Sequence, residues 1–300
     1  MEIQKQILLF FSSIHNNFLN TIVQGITIFG EQFVLIAIAV FIYWNIDKKK
    51  GYLISMSILN ATTVMGIAKS IVRFPRPWNV IPVQAVRQQT ATGYSFPSGH
   101  TTGAASAYSA IAVQFKKRWL SICCAILILL VGLSRLYLCV HWPMDVVGGL
   151  LIGCGMTFIF SAAFGNLYDD KKKCCKTMLI VGIVTATASI VMAILLMLNK
   201  IDQTAFSDLT TALATYSGLA IGLSIERLVN DFSVQNVTWG KKIARYIVGM
   251  LVIVFIMVGL KPLLQALGIY NMLTRALRYF LVGFWACIFP IVGKKLRLFS

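Results

Sequence analysis

Apolar residues in this chain fall into long blocks separated by short charged punctuations. The blocks run about 16 to 24 residues, the length a helix rising about 1.5 Å per residue needs to cross a bilayer core. They predict nine spans, at about 31–46, 51–71, 98–115, 119–137, 143–165, 177–198, 207–227, 243–260 and 274–293. The seventh is the most polar, with Ser, Thr and Gly spread through it and Asp208 and Glu226 expected near its two ends. Ahead of them, residues 5–27 mix apolar positions with Ser12, Ser13, Asn16, Asn17, Asn20 and Gln24, a pattern that predicts an amphipathic helix lying in the interface. His15 in this stretch is expected to be a surface residue, and the start lacks a small-residue cleavage site, so the N-terminus is expected to be retained.

Composition agrees with lipid as the main solvent. Of 300 residues 58% are hydrophobic and only 12% charged, with a mean hydropathy of +0.78. A water-soluble domain of that size needs more charge to cover its surface. The formal net charge of +17 raises the question of nucleic acid, but the excess sits in short clusters between spans and offers no continuous basic face, so no nucleic-acid partner is expected. The clusters are Lys48–Lys50, Lys116–Arg118, Lys171–Lys173 with Lys176, Lys241 and Lys242 with Arg245, and Lys294 and Lys295 with Arg297. All occupy alternate loops, and lysine and arginine mark cytoplasmic loops, so the C-terminus is expected inside and the remaining loops outside. The charge arrangement and short loops point to a bacterial inner membrane. The seven cysteines form no ligand spacing. Cys123, Cys124, Cys139, Cys154 and Cys287 read as apolar packing residues, and Cys174 and Cys175 as reduced thiols in a basic loop.

Three polar segments fall at the outer boundary under this topology: 69–77 (KSIVRFPRP), 96–100 (FPSGH) and 134–145 (SRLYLCVHWPMD). From His100 to Ser134 the chain has about 34 residues, enough for one crossing inward, the Lys116–Arg118 turn and one crossing back. Span length and charge bias alone therefore bring His100 and His141 to one side of the membrane.

The three segments contain KxxxxxxRP, PSGH and SRxxxxxHxxxD, intact and in order. In this the chain resembles the type 2 phosphatidic acid phosphatase family. The same pattern is similar to that of vanadium-dependent haloperoxidases and glucose-6-phosphatase, so it marks a phosphate or vanadate pocket and leaves the substrate open. The resemblance implies an all-α, polytopic membrane bundle. Its parts would be an N-terminal interfacial segment over residues 1–30, a six-span phosphatase core over 31–200 and about three additional spans over 201–300. The additional spans are expected to shape the substrate site or form a homo-oligomer contact. The implied activity is hydrolysis of a lipid phosphate or diphosphate, with phosphatidate, phosphatidylglycerol phosphate and polyprenyl diphosphate as candidates. Membrane lipids would be the surroundings, and a phosphotransferase or a non-catalytic lipid-binding protein would be the alternatives.

The chemistry of the residues is consistent with that implication. A phosphoryl group in transfer spreads negative charge over its equatorial oxygens and needs fixed cationic donors, which Lys69, Arg76 and Arg135 supply. Ser98 and Gly99, where the third span begins, add short-range donors and close backbone approach. His141 is the expected nucleophile, oriented by Asp145 four residues on, across a Pro143 suited to the first turn of a helix. His100 is the expected general acid and base. Neither a cofactor nor a metal is expected, because no metal-ligand spacing accompanies these residues. Taken singly, charged residues at span ends are interfacial anchors, and Arg73 and Arg87 are read as outer-rim charges. Trp78 and Trp142 are read as headgroup anchors.

Overall fold

The computed structural model describes residues 1–235 and 237–299, and among them it is mostly helical, with no strand. The predicted spans appear as α3 (Gln32–Asn45), α4 (Lys48–Val72), α5 (Gly99–Phe115), α6 (Arg118–Tyr137), α7 (Pro143–Asp169), α8 (Lys171–Met197), α9 (Gln203–Val229), α10 (Trp239–Val254) running on through a π turn (Phe255–Gly259) into α11 (Leu260–Ala266), and α12 (Met272–Lys295). Six of the described helices are long and apolar enough to cross a membrane, and a bent pair made of residues 17–30 and α3 brings the number to seven. Nine was the expected number. The two outside the seven are α5, which is 17 residues long, and α9, which carries many Ser, Thr and Gly residues, and neighbouring helices cover much of both. In α5 residues 101–108 are buried without a break, and in α9 seventeen residues are buried. Small and polar side chains suffice where lipid is not the neighbour.

The N-terminal stretch departs from the single interfacial helix expected. It forms α1 (Glu2–Ser13) and α2 (Asn17–Thr27), because the Asn16 side chain accepts a hydrogen bond from the Leu19 amide and starts a new helix there. A 3-10 turn, Ile28–Gly30, then bends the chain by 48° into α3. Both α1 and α2 pack on α6, and Leu8 is fully buried against Val83, Cys139 and Trp142. His15 is half-buried, not a surface residue: its Nε2 lies 2.6 Å from the Tyr137 carbonyl oxygen and its ring packs on the Tyr137 ring.

The chain divides into two compact units, Met1–Ile38 with Leu53–Ala162, and Ala39–Tyr52 with Ala163–Ser300. In the first, α5 and α7 meet almost backbone to backbone. A Cβ at Gly149 would lie 2.9 Å from the Ser98 carbonyl oxygen, and one at Gly153 2.7 Å from that of Thr102. Polar ends of the four helices α4 to α7 are thereby drawn together, with the Lys116–Arg118 turn between α5 and α6 at the opposite end of those helices.

In the second unit α9 packs between α8 and α12. A Cβ at Gly218 would fall 2.0 Å from the Phe280 carbonyl oxygen, and one at Gly283 2.2 Å from that of Thr215, so glycine is required at both crossings. Two basic clusters of this unit are tied to acidic residues near helix ends: Lys48 pairs with Glu226 at 2.7 Å and Asp231 at 2.8 Å, Lys49 with Asp169 at 2.7 Å, and Lys171 with Asp231 at 3.2 Å. Glu226 and Asp208 do lie near the two ends of α9, and Asp208 meets Arg275 at 3.4 Å. Cys174 and Cys175 differ from expectation, being buried within α8 and not in a loop. The π turn frees backbone carbonyls in an apolar setting, and Arg278 of α12 answers them, donating to Ile256 O at 3.2 Å and Met257 O at 2.8 Å.

Candidate active site

Four helix ends of the first unit carry the expected residues. Lys69 is in the last turn of α4, and α4 stops where Arg73 adopts a left-handed backbone (φ 49°). Ser98 caps α5, with Gly99 and His100 as its first residues. Arg135 is in the last turn of α6, and Asp145 in the first turn of α7, which Pro143 opens. His141 lies in the short connection between them. Lys69 and Arg76 are 4% exposed, His141 2%, and Ser98, Arg135 and Asp145 0%. So many buried polar chains at one place require mutual compensation or a polar ligand.

The centre is His141. Its Nδ1 lies 3.2 Å from Asp145 Oδ2, and its Nε2 lies 2.9 Å from Arg76 Nη1, which is farther, 3.3 Å, from Nδ1. Carboxylate oxygen only accepts and guanidinium only donates, so this pairing places the imidazole proton on Nδ1 and the lone pair on Nε2. Asp145 Oδ2 is itself held by the Trp142 amide at 2.8 Å and by the Ser95 hydroxyl. Arg76 is fixed by carbonyls on three sides: Gly93 to its Nε (3.1 Å), Thr92 to Nη2 (2.6 Å) and Val140 to Nη1 (2.8 Å). Arg76, Arg135, Lys69 and His100 are all within electrostatic reach of His141.

Burial, and then the positive charges of Arg76, Arg135 and Lys69, hold the His141 imidazole well below the ordinary histidine range. The unfolded ring takes a proton near about 6.5 and the folded ring only at lower pH. Its contribution to stability is therefore present above about 6.5 and is lost as pH falls through the window below. With three histidines in the chain, ring-nitrogen NMR of the labelled protein can follow each one. His141 is expected to remain neutral at pH 6, and a charged ring there would contradict the geometry.

Several polar atoms of the cluster are buried without a protein partner: His100 Nε2, Arg135 Nε and Nη2, and Asp145 Oδ1. Ser98 is engaged in the scaffold. Its amide donates to Asp145 O at 3.0 Å and its hydroxyl oxygen accepts from Thr101 Oγ1 at 2.9 Å, so it joins the α5 and α7 ends. Arg73 is exposed and donates to its own helix at Ser70 O. Arg87 is spoken for by Glu31 at 2.7 Å. Trp142 is no headgroup anchor: it is fully buried, with its indole N–H on Pro75 O at 2.9 Å. Trp78 is half-buried beside the Arg76 guanidinium, 5.6 Å from its ring centre. Ser95, Thr92 and Gly93 were not singled out in the sequence, since a loop that supplies one hydroxyl and two carbonyls leaves no periodic signal.

A multi-pass helical membrane protein with a buried cationic cluster at one end of its bundle is the class that fold and site define. Comparison with known proteins makes it specific. Residues 50–169 match the PAP2 superfamily, and residues 210–300 match the PAP2 superfamily phosphatase transmembrane extension. The chain is 33% identical over 148 residues to undecaprenyl-diphosphatase BcrC of Bacillus subtilis, covering 49% of this chain and 75% of the relative. It is 29% identical over 146 residues to an undecaprenyl-diphosphatase of Sulfolobus acidocaldarius, covering 47% and 68%. It is 28% identical over 178 residues to phosphatidylglycerophosphatase B of Bacillus subtilis, covering 53% and 80%. The chain belongs to the PAP2 superfamily and is a phosphate-ester hydrolase of the kind its three motifs resemble.

Proposed function

We propose that this protein hydrolyses the phosphate or diphosphate ester of a membrane lipid at the extracytoplasmic face, through a phosphohistidine on His141. The observation that carries this reading is the polarity of the His141 ring, with Nδ1 against Asp145 and the lone pair of Nε2 turned toward Arg76. Nε2 attacks phosphorus as the bond from phosphorus to the lipid oxygen breaks, and His100 gives the leaving oxygen its proton. Asp145 then faces an imidazolium that carries the phosphoryl group, and stabilises it. In the second half His100 takes a proton from water, the oxygen attacks phosphorus, the P–N bond breaks and the electron pair returns to Nε2. Lys69, Arg76 and Arg135 hold the equatorial oxygens throughout.

An extracytoplasmic site is supported by the charge at the other end of the first unit. The basic turn Lys116–Arg118 is at the far end of α5 and α6 from the site, and basic turns face the cytoplasm. A site at a helix end within the membrane boundary suits a substrate whose tail stays in the leaflet. The relatives named as diphosphatases make a polyprenyl diphosphate the first substrate to test, with phosphatidylglycerol phosphate next.

Phosphate release by the purified protein in lipid micelles, from these two lipids, phosphatidate and glucose 6-phosphate, tests the reading. A lipid is expected to be preferred, and release is expected to persist in excess chelator because three cationic side chains do the charge neutralisation. Loss of activity in chelator, or preference for glucose 6-phosphate, would sink the corresponding part. Transfer of the phosphoryl group to an added alcohol in place of water would show a phosphotransferase.

A further inference from the structure

Thr27 lies in the last turn of α2, upstream of the residues that match the PAP2 superfamily. It is fully buried, and its Oγ1 accepts a hydrogen bond from Arg135 Nη1 at 2.7 Å. Among the described residues this is the one acceptor the Arg135 guanidinium has, for its Nε and Nη2 are buried without a partner. Nε and Nη2 form one edge of the guanidinium fork, the edge that grips two oxygens of a phosphate side by side.

We propose that Thr27 is a positioning residue for the phosphate site, holding Nη1 of Arg135 so that the Nε and Nη2 edge is presented to the substrate phosphate. This rests on the reading of Arg135 as a phosphate ligand. The contrast with Arg76 supports it. Arg76 is clasped by three backbone carbonyls, the way a buried guanidinium is satisfied by the protein itself. Arg135, with 0% exposure, is given one neutral hydroxyl among the described residues, and its Nε and Nη2 are left without a partner. A single acceptor does little to compensate a buried charge, but it removes the rotation of the fork about its own axis.

The position of Thr27 is itself over-determined. Two residues on, the Phe29 carbonyl accepts from the Tyr108 hydroxyl of α5 at 2.8 Å. At Gly30 the chain runs so close to His100 that a Cβ would stand 3.0 Å from the His100 carbonyl oxygen and 2.7 Å from Val131 Cγ1. On either side of the turn, Arg87 donates to Gln24 O at 3.3 Å and pairs with Glu31 at 2.7 Å. The segment before the family region is thereby locked onto the two helices that carry His100 and Arg135, and Thr27 is the point where it touches the chemistry.

The test is a double-mutant cycle on the full chain, with lipid phosphate turnover and inhibition by orthovanadate as readouts. Thr27→Val keeps the shape and removes the acceptor. It is expected to lower kcat/KM by about 10- to 100-fold and to weaken vanadate in parallel, as loss of a charge-assisted bond in a dry site would. Thr27→Ser, which keeps the hydroxyl, is expected to stay within about threefold of the parent. In an Arg135→Ala background Thr27→Val is expected to have no further effect. Wild-type kinetics in Thr27→Val, or an equal loss in both backgrounds, would overturn the proposal. Wild-type turnover in Arg135→Ala alone would instead overturn the phosphate-ligand reading beneath it. Should Thr27→Val fail to fold, Thr27→Ala carries the same comparison.

Discussion

His141→Ala is expected to lower lipid phosphate hydrolysis by about 10⁴-fold or more, equivalent to some 5 kcal/mol of transition-state stabilisation. The size follows from the role. Without Nε2 there is no acceptor for the phosphoryl group, and the cationic chains around it can only bind. Substrate affinity is therefore expected to change much less than turnover, because Lys69, Arg76 and Arg135 remain. Rapid quenching of the parent enzyme with radiolabelled substrate is expected to trap protein-bound phosphate that is stable to base and labile to acid, as a phosphoramidate is, and His141→Ala is expected to trap none. Turnover in the variant within tenfold of the parent would remove His141 as nucleophile. Asp145→Asn is expected to fall between the two, since the amide can still approach Nδ1 but no longer stabilises the imidazolium, and it leaves the Trp142 amide and Ser95 hydroxyl with a poorer acceptor.

The family and the helical character could be read from the sequence because each rests on a local signal. Span length needs only a count of apolar residues, and the three motifs need only residue types at fixed spacing. Even His141 and Asp145 were foreseeable as partners, being four apart across a proline that starts a helix. What the sequence concealed depends on contacts between distant segments. Ser95 holds Asp145 from 50 residues away and Thr27 meets Arg135 from 108, and nothing in an amphipathic stretch with several polar side chains marks Thr27 for a guanidinium. Trp142 was misread for a related reason. Tryptophan beside a membrane boundary is common as an anchor, but its position between His141 and Pro143 turns the indole inward onto Pro75. All nine predicted segments are helices, but α5, with 17 residues, and α9, with its Ser, Thr and Gly content, do not by themselves reach the length and apolarity of a crossing helix, and both are sheltered by their neighbours. Burial by protein and burial by lipid look alike in a hydropathy pattern.

His100→Ala is expected to discriminate between substrates by their leaving groups. His100 opens α5 beside Gly99, its Nε2 buried with no protein partner and its main chain packed under Gly30. A lipid alkoxide is a poor leaving group and needs a proton as the bond to phosphorus breaks, so loss of the acid is expected to cost about 10²- to 10⁴-fold on a lipid phosphate. An aryl phosphate whose phenol is acidic needs no such proton, and the first half-reaction on it is expected to be slowed by less than about tenfold. The second half-reaction still needs His100 to take a proton from water. The variant is therefore expected to give a burst of phenol equal to the enzyme present, followed by slow turnover, with phosphate retained on His141. An equal loss on both substrates with no burst would mean that His100 shapes the pocket without moving a proton. Because the two histidines act at opposite ends of the same bond, the burst also reports on His141: it is expected to vanish in His100→Ala combined with His141→Ala, where no nitrogen is left to hold the phosphoryl group.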